Sequence, residues 1–215
     1  MINEGRMFKV YATGDEKIQL KVIPGHFATP HSHISHYLEI TTMKTRCAEA
    51  ARIAAYLARR YEATTPVDTI VCLDGLEVVG AFLAEELAKA GVLSMNAHKT
   101  IYVVTPEYNG SGQLMFRENT QNMIKGRNVV LLMGTITTGE TLRKGVESIL
   151  YYGGTIRGVS AIFSAVNKIA GLDINAIFHK KDIPEYEAYP IDHCPMCEGK
   201  EKIDAIVNGY GYAKL

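Results

Sequence analysis

Several features that would assign a chain to a class at once are missing from these 215 residues. Charge of one sign is not in excess: Lys+Arg and Asp+Glu both number 23, so no global field draws the chain to nucleic acid or to an anionic membrane. Any basic site must be local. There are only four cysteines, two of them close together, which is too few for a disulfide framework and leaves reduced thiols or a metal pair. No apolar run approaches a bilayer span, and residues 1–17, MINEGRMFKVYATGDEK, hold none of signal-peptide length, so a soluble, cytoplasmic protein is expected. Internal repeats and low-complexity tracts are absent too. What is present is apolar substance: 47% of residues are hydrophobic and 21% charged, enough to bury one core in a single domain.

From residue 66 onward, short apolar runs alternate with longer amphipathic ones, the pattern of a parallel sheet with crossover helices. Strands are expected over residues 68–73, 100–104, 128–133, 156–163 and 174–178, whose Val- and Ile-rich runs suit burial on both faces. The spacing predicts a helix over residues 44–61 with Cys47, Ala51, Ala54, Leu57, Ala58 and Tyr61 on one face. A second runs from Val78 to Ala90 and stops at Gly91, burying Val79, Phe82, Leu83 and Leu87. A third follows Thr141 with Leu142, Val146, Ile149 and Leu150 inward. Residues 105–127 are polar and carry Gly110, Ser111 and Gly112, which reads as a long mobile loop. Residues after 180, with Pro184, Pro190 and Pro195, read as an irregular tail.

The strongest local signal is VVLLMGTITTGET, residues 129–141: a buried strand, a loop of Thr and Gly, then a helix. That order aims free N–H groups and the positive end of a helix dipole at one spot, which suits phosphate. Thr135, Thr137, Thr138 and Thr141 add hydroxyls, and Gly139 lets the backbone approach a ligand. Helix capping alone would need fewer hydroxyls than these. A nucleotide-triphosphatase loop fits the glycine spacing, but Glu140 stands where that loop requires lysine and would repel a triphosphate.

The string resembles the phosphoribosyl-pyrophosphate signature of type I phosphoribosyltransferases, in which an apolar strand precedes two acidic residues and a loop close to VITTGGT. Thr135 to Thr141 match the phosphate half, and Met133-Gly134 stands where the acidic pair would be. Residues 67–91, VDTIVCLDGLEVVGAFLAEELAKAG, are similar to the family's first strand, pyrophosphate loop and following helix. Residues 25–40, GHFATPHSHISHYLEI, are similar to the hood of orotate phosphoribosyltransferases. The resemblance implies an α/β fold, a twisted parallel sheet flanked by helices, with a hood at 1–43, a core at 44–180 and a C-terminal extension at 181–215. It implies that Thr135, Thr137, Thr138, Gly139, Glu140 and Thr141 cradle a 5-phosphate, while Asp74, Gly75, Leu76 and Glu77 face pyrophosphate accompanied by magnesium. Residues 105–127 would be the catalytic loop, with Lys99 and Arg117 as its nearest basic candidates. Glu107, like Asp74, Glu77 or Glu118, is a carboxylate that would replace the acidic pair. A homodimer is implied as well.

Two functions follow. One is an enzyme of pyrimidine nucleotide biosynthesis, moving a phosphoribosyl group to or from a base such as orotate. The other is a non-catalytic sensor of phosphoribosyl pyrophosphate or a nucleoside monophosphate, because a methionine and a glycine cannot stabilise an oxocarbenium-like transition state.

A separate constellation lies near the C-terminus, where Cys194-Pro195-Met196-Cys197 has the form of half a zinc knuckle. His31 and His33 would complete it if both faced one side of a strand, with His36 and His193 as spare candidates. The bland alternative is a pair of small tail residues beside a polar turn. Cys47 and Cys72 sit on apolar faces and read as core, and the aromatic residues Tyr151, Tyr152, Tyr210 and Tyr212 as packing or dimer contacts.

Overall fold

Two sheets meet at the carboxyl ends of the expected Val- and Ile-rich strands in a computed structural model, which describes residues 4–61, 64–89, 95–97 and 99–215. The chain runs through β1 (Phe8–Ala12), β2 (Asp15–Ala28), β3 (His33–Glu39), α1 (Thr41–Thr45), α2 (Cys47–Ala58), β4 (Thr69–Cys72) and α3 (Glu77–Lys89). It continues through β5 (Tyr102–Val104), β6 (Glu107–Tyr108), β7 (Leu114–Met115), α4 (Glu118–Gln121), β8 (Asn128–Ile136), α5 (Glu140–Tyr151) and β9 (Thr155–Ser164). The remainder is β10 (Lys168–Ile169), β11 (Leu172–His179), β12 (Ala188–Tyr189), α6 (Pro195–Glu198), β13 (Ala205–Asn208) and β14 (Gly211–Lys214). Among the described residues no helix is long and apolar enough to cross a membrane.

The core sheet has the order β10-β11-β9-β8-β4-β5, parallel except for the edge strand β10. Its centre is β8, whose Val129 to Met133 are all at most 1% exposed. Alternate residues of β8 serve two layers: Val130 and Leu132 face α2, α3 and the hood, whereas Val129, Leu131 and Met133 face α5. Each such side chain contributes roughly 1.5–3 kcal/mol by leaving water, which anchors the strand and whatever follows it. Because β4 continues to β5 on one side while β8 and β9 lie on the other, the order reverses between β4 and β8. That crevice is where open α/β sheets bind ligands.

The expected helix over 44–61 is interrupted. Thr45 donates its hydroxyl to the Thr41 carbonyl at 2.6 Å, and Arg46 is extended, so α1 ends and α2 begins in a new register. Ala50, Ile53, Ala54, Leu57 and Ala58 are then the buried positions, and Cys47, expected in the core, is exposed. Leu150 likewise is 56% exposed instead of facing inward, because the buried stripe of α5 runs through Leu142, Gly145, Val146 and Ile149. The helix α3 is described to Lys89; the expected stop at Gly91 lies outside the described residues. Residues 105–127, expected as a loop, form the β6–β7 hairpin and the single turn α4.

The hood is an antiparallel-rich sheet of order β12-β3-β2-β13-β14 with β1 beside β2. Half its strands come from the segment read as an irregular tail. β12 pairs antiparallel with the start of β3, β13 pairs parallel with the end of β2, and β14 folds back on β13. These strands are two to four residues long, too short to declare themselves by alternation in the sequence.

Candidate functional site

A cleft of about 290 Å³ opens between the hood and the carboxyl ends of β4 and β8. All six residues expected around a 5-phosphate, Thr135, Thr137, Thr138, Gly139, Glu140 and Thr141, line it. β8 ends at Ile136 and α5 begins at Glu140, so the stretch between is a loop that opens a helix. Gly139 turns the chain with φ 85°, a left-handed value that a β-branched residue strains to adopt, and a Cβ there would run into Ile169. No side chain caps α5, and among the described residues no hydrogen bond occupies the main-chain amides of Thr137, Thr138, Gly139, Glu140 or Thr141. The loop therefore presents unpaired donors, at the positive end of a three-turn helix, to whatever lies in the cleft.

The residues expected to face pyrophosphate take different positions. Asp74 and Gly75 both have positive φ, which turns the chain sharply out of β4. Leu76 is wholly buried and belongs to the packing under the loop, and Glu77 opens α3 with its carboxylate accepting from the Thr105 hydroxyl at 2.9 Å. Asp74 alone lines the cleft. Its carboxylate accepts the Gly134 amide at 3.1 Å, with the Thr135 amide beside it. A Cβ at Gly134 would sit 2.9 Å from Ile40 Cδ1 and 3.3 Å from Asp74 Cβ. Met133 meanwhile turns to the α5 side of the sheet. Absence of an acidic pair on β8 and presence of Asp74 are thus one arrangement: the carboxylate comes across from the β4 loop and fills the space that a side chain at 134 would need. Burial pushes the Asp74 carboxyl above the ordinary carboxylate range, against the pull of the Gly134 amide and of Lys44.

Lys44 has no counterpart in the sequence reading. It is only 4% exposed, and its ammonium donates to the Asp74 carbonyl at 2.7 Å and to the Gly209 carbonyl at 2.5 Å. Burial lowers its pKa, while Asp74, Glu77 and Glu39 oppose that shift. One charge thereby ties the β4 loop of the core to the β13–β14 turn of the hood. Its only sequence signal is a lone basic residue in a short threonine-rich helix.

The hood wall is apolar and aromatic: Ile34, Tyr37, Leu38, Tyr186 and Val207 all face the cleft. Tyr186 is 1% exposed, packs its ring on Phe163 and His36, and its hydroxyl has no hydrogen-bond partner among the described residues. A buried hydroxyl left this way costs roughly 1–3 kcal/mol unless something supplies a partner. Tyr210, expected as a packing residue, is 70% exposed, borders the cleft and lies 5.3 Å from the Lys44 ammonium, whereas Tyr212 does pack, against Tyr37. Tyr152 packs on Phe116, and Tyr151 is exposed.

Three expected catalytic residues stand elsewhere. Lys99 pairs with Asp68 at 3.5 Å, before the first residue of β4, which is the opposite end of the sheet from the cleft. Glu107 and Arg117 are exposed and bind each other, with two guanidinium nitrogens on one carboxylate oxygen at 2.6 and 3.0 Å. Neither lines the cleft, although Tyr108 of the same hairpin does. Glu118 is the exposed first residue of α4. The metal-ligand reading also changes. His31 lies in the exposed turn before β3 begins, so strand alternation does not pair it with His33. It lines the cleft instead, near Glu140, whose carboxyl is held low first by the Arg143 guanidinium and further by the charges of His31 and Lys144. His26, on the strand opposite His33, takes its place beside Cys194 and Cys197, and His36 and His193 are not in this group.

A parallel sheet flanked by helices, a phosphate-type loop at its switch point and a hood of strands over it make up the type I phosphoribosyltransferase fold. The chain takes that fold, and its sequence is similar to that of an orotate phosphoribosyltransferase. It is 24% identical to the orotate phosphoribosyltransferase of Desulforamulus reducens over 179 residues, 82% of this chain and 85% of that one. Among solved structures it is similar to adenine phosphoribosyltransferase from Trypanosoma brucei in complex with AMP, pyrophosphate and ribose-5-phosphate, with TM-score 0.51, 16% identity, and 82% and 87% of the two chains covered. It is also similar to Mycobacterium tuberculosis orotate phosphoribosyltransferase in complex with 5-phospho-α-D-ribosyl 1-diphosphate, with TM-score 0.51, 14% identity, and 68% and 82% covered. No family model matches the chain.

Proposed function

We propose that this protein binds a 5-phosphoribosyl ligand in the cleft and transfers the phosphoribosyl group between pyrophosphate and a base of the orotate class. The observation that carries the reading is the loop Thr135–Thr141, whose amides from Thr137 onward have no partner among the described residues and whose four threonines line the cleft. The solved relatives, with ribose 5-phosphate and phosphoribosyl pyrophosphate named in their complexes, support the ligand class. With the 5-phosphate on the loop, the ribose lies over Met133 and Gly134 and the base reaches the hood wall, where the Tyr186 hydroxyl offers it a hydrogen bond. The base nitrogen, its proton given up to solvent, forms its bond to the anomeric carbon as the bond to pyrophosphate breaks, and pyrophosphate leaves with the electron pair. The Asp74 carboxylate is the negative group nearest the sugar position and would favour the positive character that develops there.

Of the cleft carboxylates, Asp74 is engaged by the Gly134 amide and Glu140 by Arg143, so a magnesium ion would be held chiefly by the ligand's own phosphate oxygens. Its chemistry there is to neutralise the departing pyrophosphate. The same commitment of Asp74 to the main chain favours a second reading, in which the cleft holds phosphoribosyl pyrophosphate or a nucleoside monophosphate and reports it without turnover.

Calorimetric titration with phosphoribosyl pyrophosphate, with and without magnesium, followed by an orotate turnover assay, separates the two. Magnesium-dependent binding with product formation is the expected result. Binding without magnesium and without product overturns the transferase, and no binding at all overturns both. A homodimer is part of the proposal, and light scattering on the eluting protein tests it.

A further inference from the structure

Outside the phosphate cleft, four metal-ligating side chains from two distant parts of the chain meet under the hood. His26 comes from β2 and His33 from the first position of β3; Cys194 caps α6 and Cys197 lies within it. His26 Nε2 is 3.0 Å from His33 Nδ1 and 3.7 Å from each of the two sulfurs, and Cys197 Sγ is 3.2 Å from His33 Nδ1. All four ligand atoms lie within 4.8 Å of one another. A tetrahedral zinc with bonds of about 2.0 Å to nitrogen and 2.3 Å to sulfur holds its donors roughly 3.3–3.8 Å apart, so the observed set needs only small adjustments to close on one ion.

Hydrogen bonding among the four does not account for this convergence. His26 Nδ1 lies 3.0 Å from the Glu201 carbonyl, which can only accept, so that nitrogen carries the proton and Nε2 keeps a bare lone pair. One lone pair then faces three neighbours, two of them thiols and one a ring nitrogen. A single cation at the centre satisfies all four groups at once. The Glu201 carbonyl is at the same time the outer partner that orients a metal-bound imidazole. A second outer contact is the His26 amide to the Asp204 carboxylate at 3.0 Å. The cysteines are not joined in a disulfide.

We propose that His26, His33, Cys194 and Cys197 bind one zinc ion in a closed, four-coordinate site. Two thiolates and two imidazoles select zinc over magnesium or calcium. With every position filled by protein, the ion leaves no place for a substrate, and its work is structural. It fastens the α6 turn to the β2–β3 hairpin. A short connection after that turn leads into β13, which pairs with β2 at Phe27 and Ala28 and leads to Asn208–Gly211 at the cleft. The ion thereby holds the two segments that build the hood in register with each other. This does not depend on whether the cleft turns over.

The test is elemental analysis of untagged protein expressed with zinc in the medium, together with cobalt exchange. About one zinc per chain is expected, with cobalt giving the intense visible bands of a tetrahedral thiolate site. Cys197→Ser and His26→Gln should each lower bound zinc at least tenfold, whereas His31→Ala should keep the full equivalent. Chelation should lower Tm by at least about 5 °C, reversed by added zinc. Should a ligand variant fail to fold, the wild-type metal ratio and the cobalt spectrum decide alone. Metal-free wild-type protein with both thiols of the 194–197 pair freely reactive, or joined as a disulfide, overturns the proposal, as does equal loss of zinc in His31→Ala.

Discussion

On the core side of the cleft, the groups offered to a ligand are amides and hydroxyls of one seven-residue loop; on the hood side they are side chains gathered from β3, β13 and the segment before β12. The core wall stands on a parallel sheet whose central strand is buried on both faces, so its geometry is set by the backbone and tolerates little. The hood wall stands on a mostly antiparallel sheet, and its shape depends on how residues 186–212 dock against residues 15–39. The two walls are thus built by different means, with Lys44 as the link between them.

Substitutions in each wall sharpen that contrast. The largest effect on stability should come from Phe27→Ala, because Phe27 is wholly buried where β2, β3 and β13 meet; a loss of about 3–5 kcal/mol in urea unfolding is expected. Inorganic phosphate should still bind whatever remains folded, and loss of phosphate affinity in the folded fraction would mean that the walls are not separable. Gly139→Val should do the opposite. Left-handed strain and collision with Ile169 displace the loop amides, and affinity for ribose 5-phosphate should fall about a hundredfold, roughly 2.7 kcal/mol, by calorimetry. Unaltered affinity there would end the phosphate-loop reading.

Lys44→Met removes the link and leaves the carbonyls of Asp74 and Gly209 without their donor. Chemical denaturation should register about 2 kcal/mol, and a neutral result would show that the two walls hold together without it. Tyr186→Phe is a smaller probe. If the hydroxyl awaits the base, the variant should be more stable than the parent without ligand and lose about 1 kcal/mol of affinity for a nucleoside monophosphate, with ribose 5-phosphate binding untouched. Equal effects on both ligands would take Tyr186 out of base recognition.

The smallest expected change is that of Asp74→Asn, which retains an oxygen acceptor for the Gly134 amide and should shift stability at neutral pH by less than about 1 kcal/mol. Its signature is in the pH profile. The folded pKa of Asp74 lies above its unfolded value of about 3.9, so the native state holds more protons between the two values. The stability this group contributes is full below the unfolded value and is lost as pH rises through the folded one. Replacing it should flatten that fall; parallel profiles for parent and variant would count against the buried carboxylate.

Local pattern carried the core well. Continuous apolar runs announced β4, β5, β8, β9 and β11, and the string Thr135–Thr141 announced the loop, because a strand, a glycine turn and a helix adjacent in sequence are also adjacent in space. The same reasoning failed where side-chain direction depends on a break or a turn. Cys47 moved to the surface when Arg46 interrupted the helix, and His31 fell in a turn two residues before β3, where strand alternation does not pair it with His33. Lys99 looked near the cleft in sequence, but it precedes β5 and so lies at the amino end of the sheet.

By itself, then, the sequence determined the parallel core, the place of its phosphate-type loop and the closeness of Cys194 to Cys197, since each strand, the loop and the cysteine pair are written in short consecutive stretches. Tertiary structure alone decided that Asp74 fills the gap beside Gly134, that Lys44 joins two carbonyls from residues 74 and 209, and that His26 completes the cysteine pair. Those contacts join residues 30 to 171 positions apart. No local periodicity encodes them, because they exist only once burial has brought the hood's two segments onto one sheet.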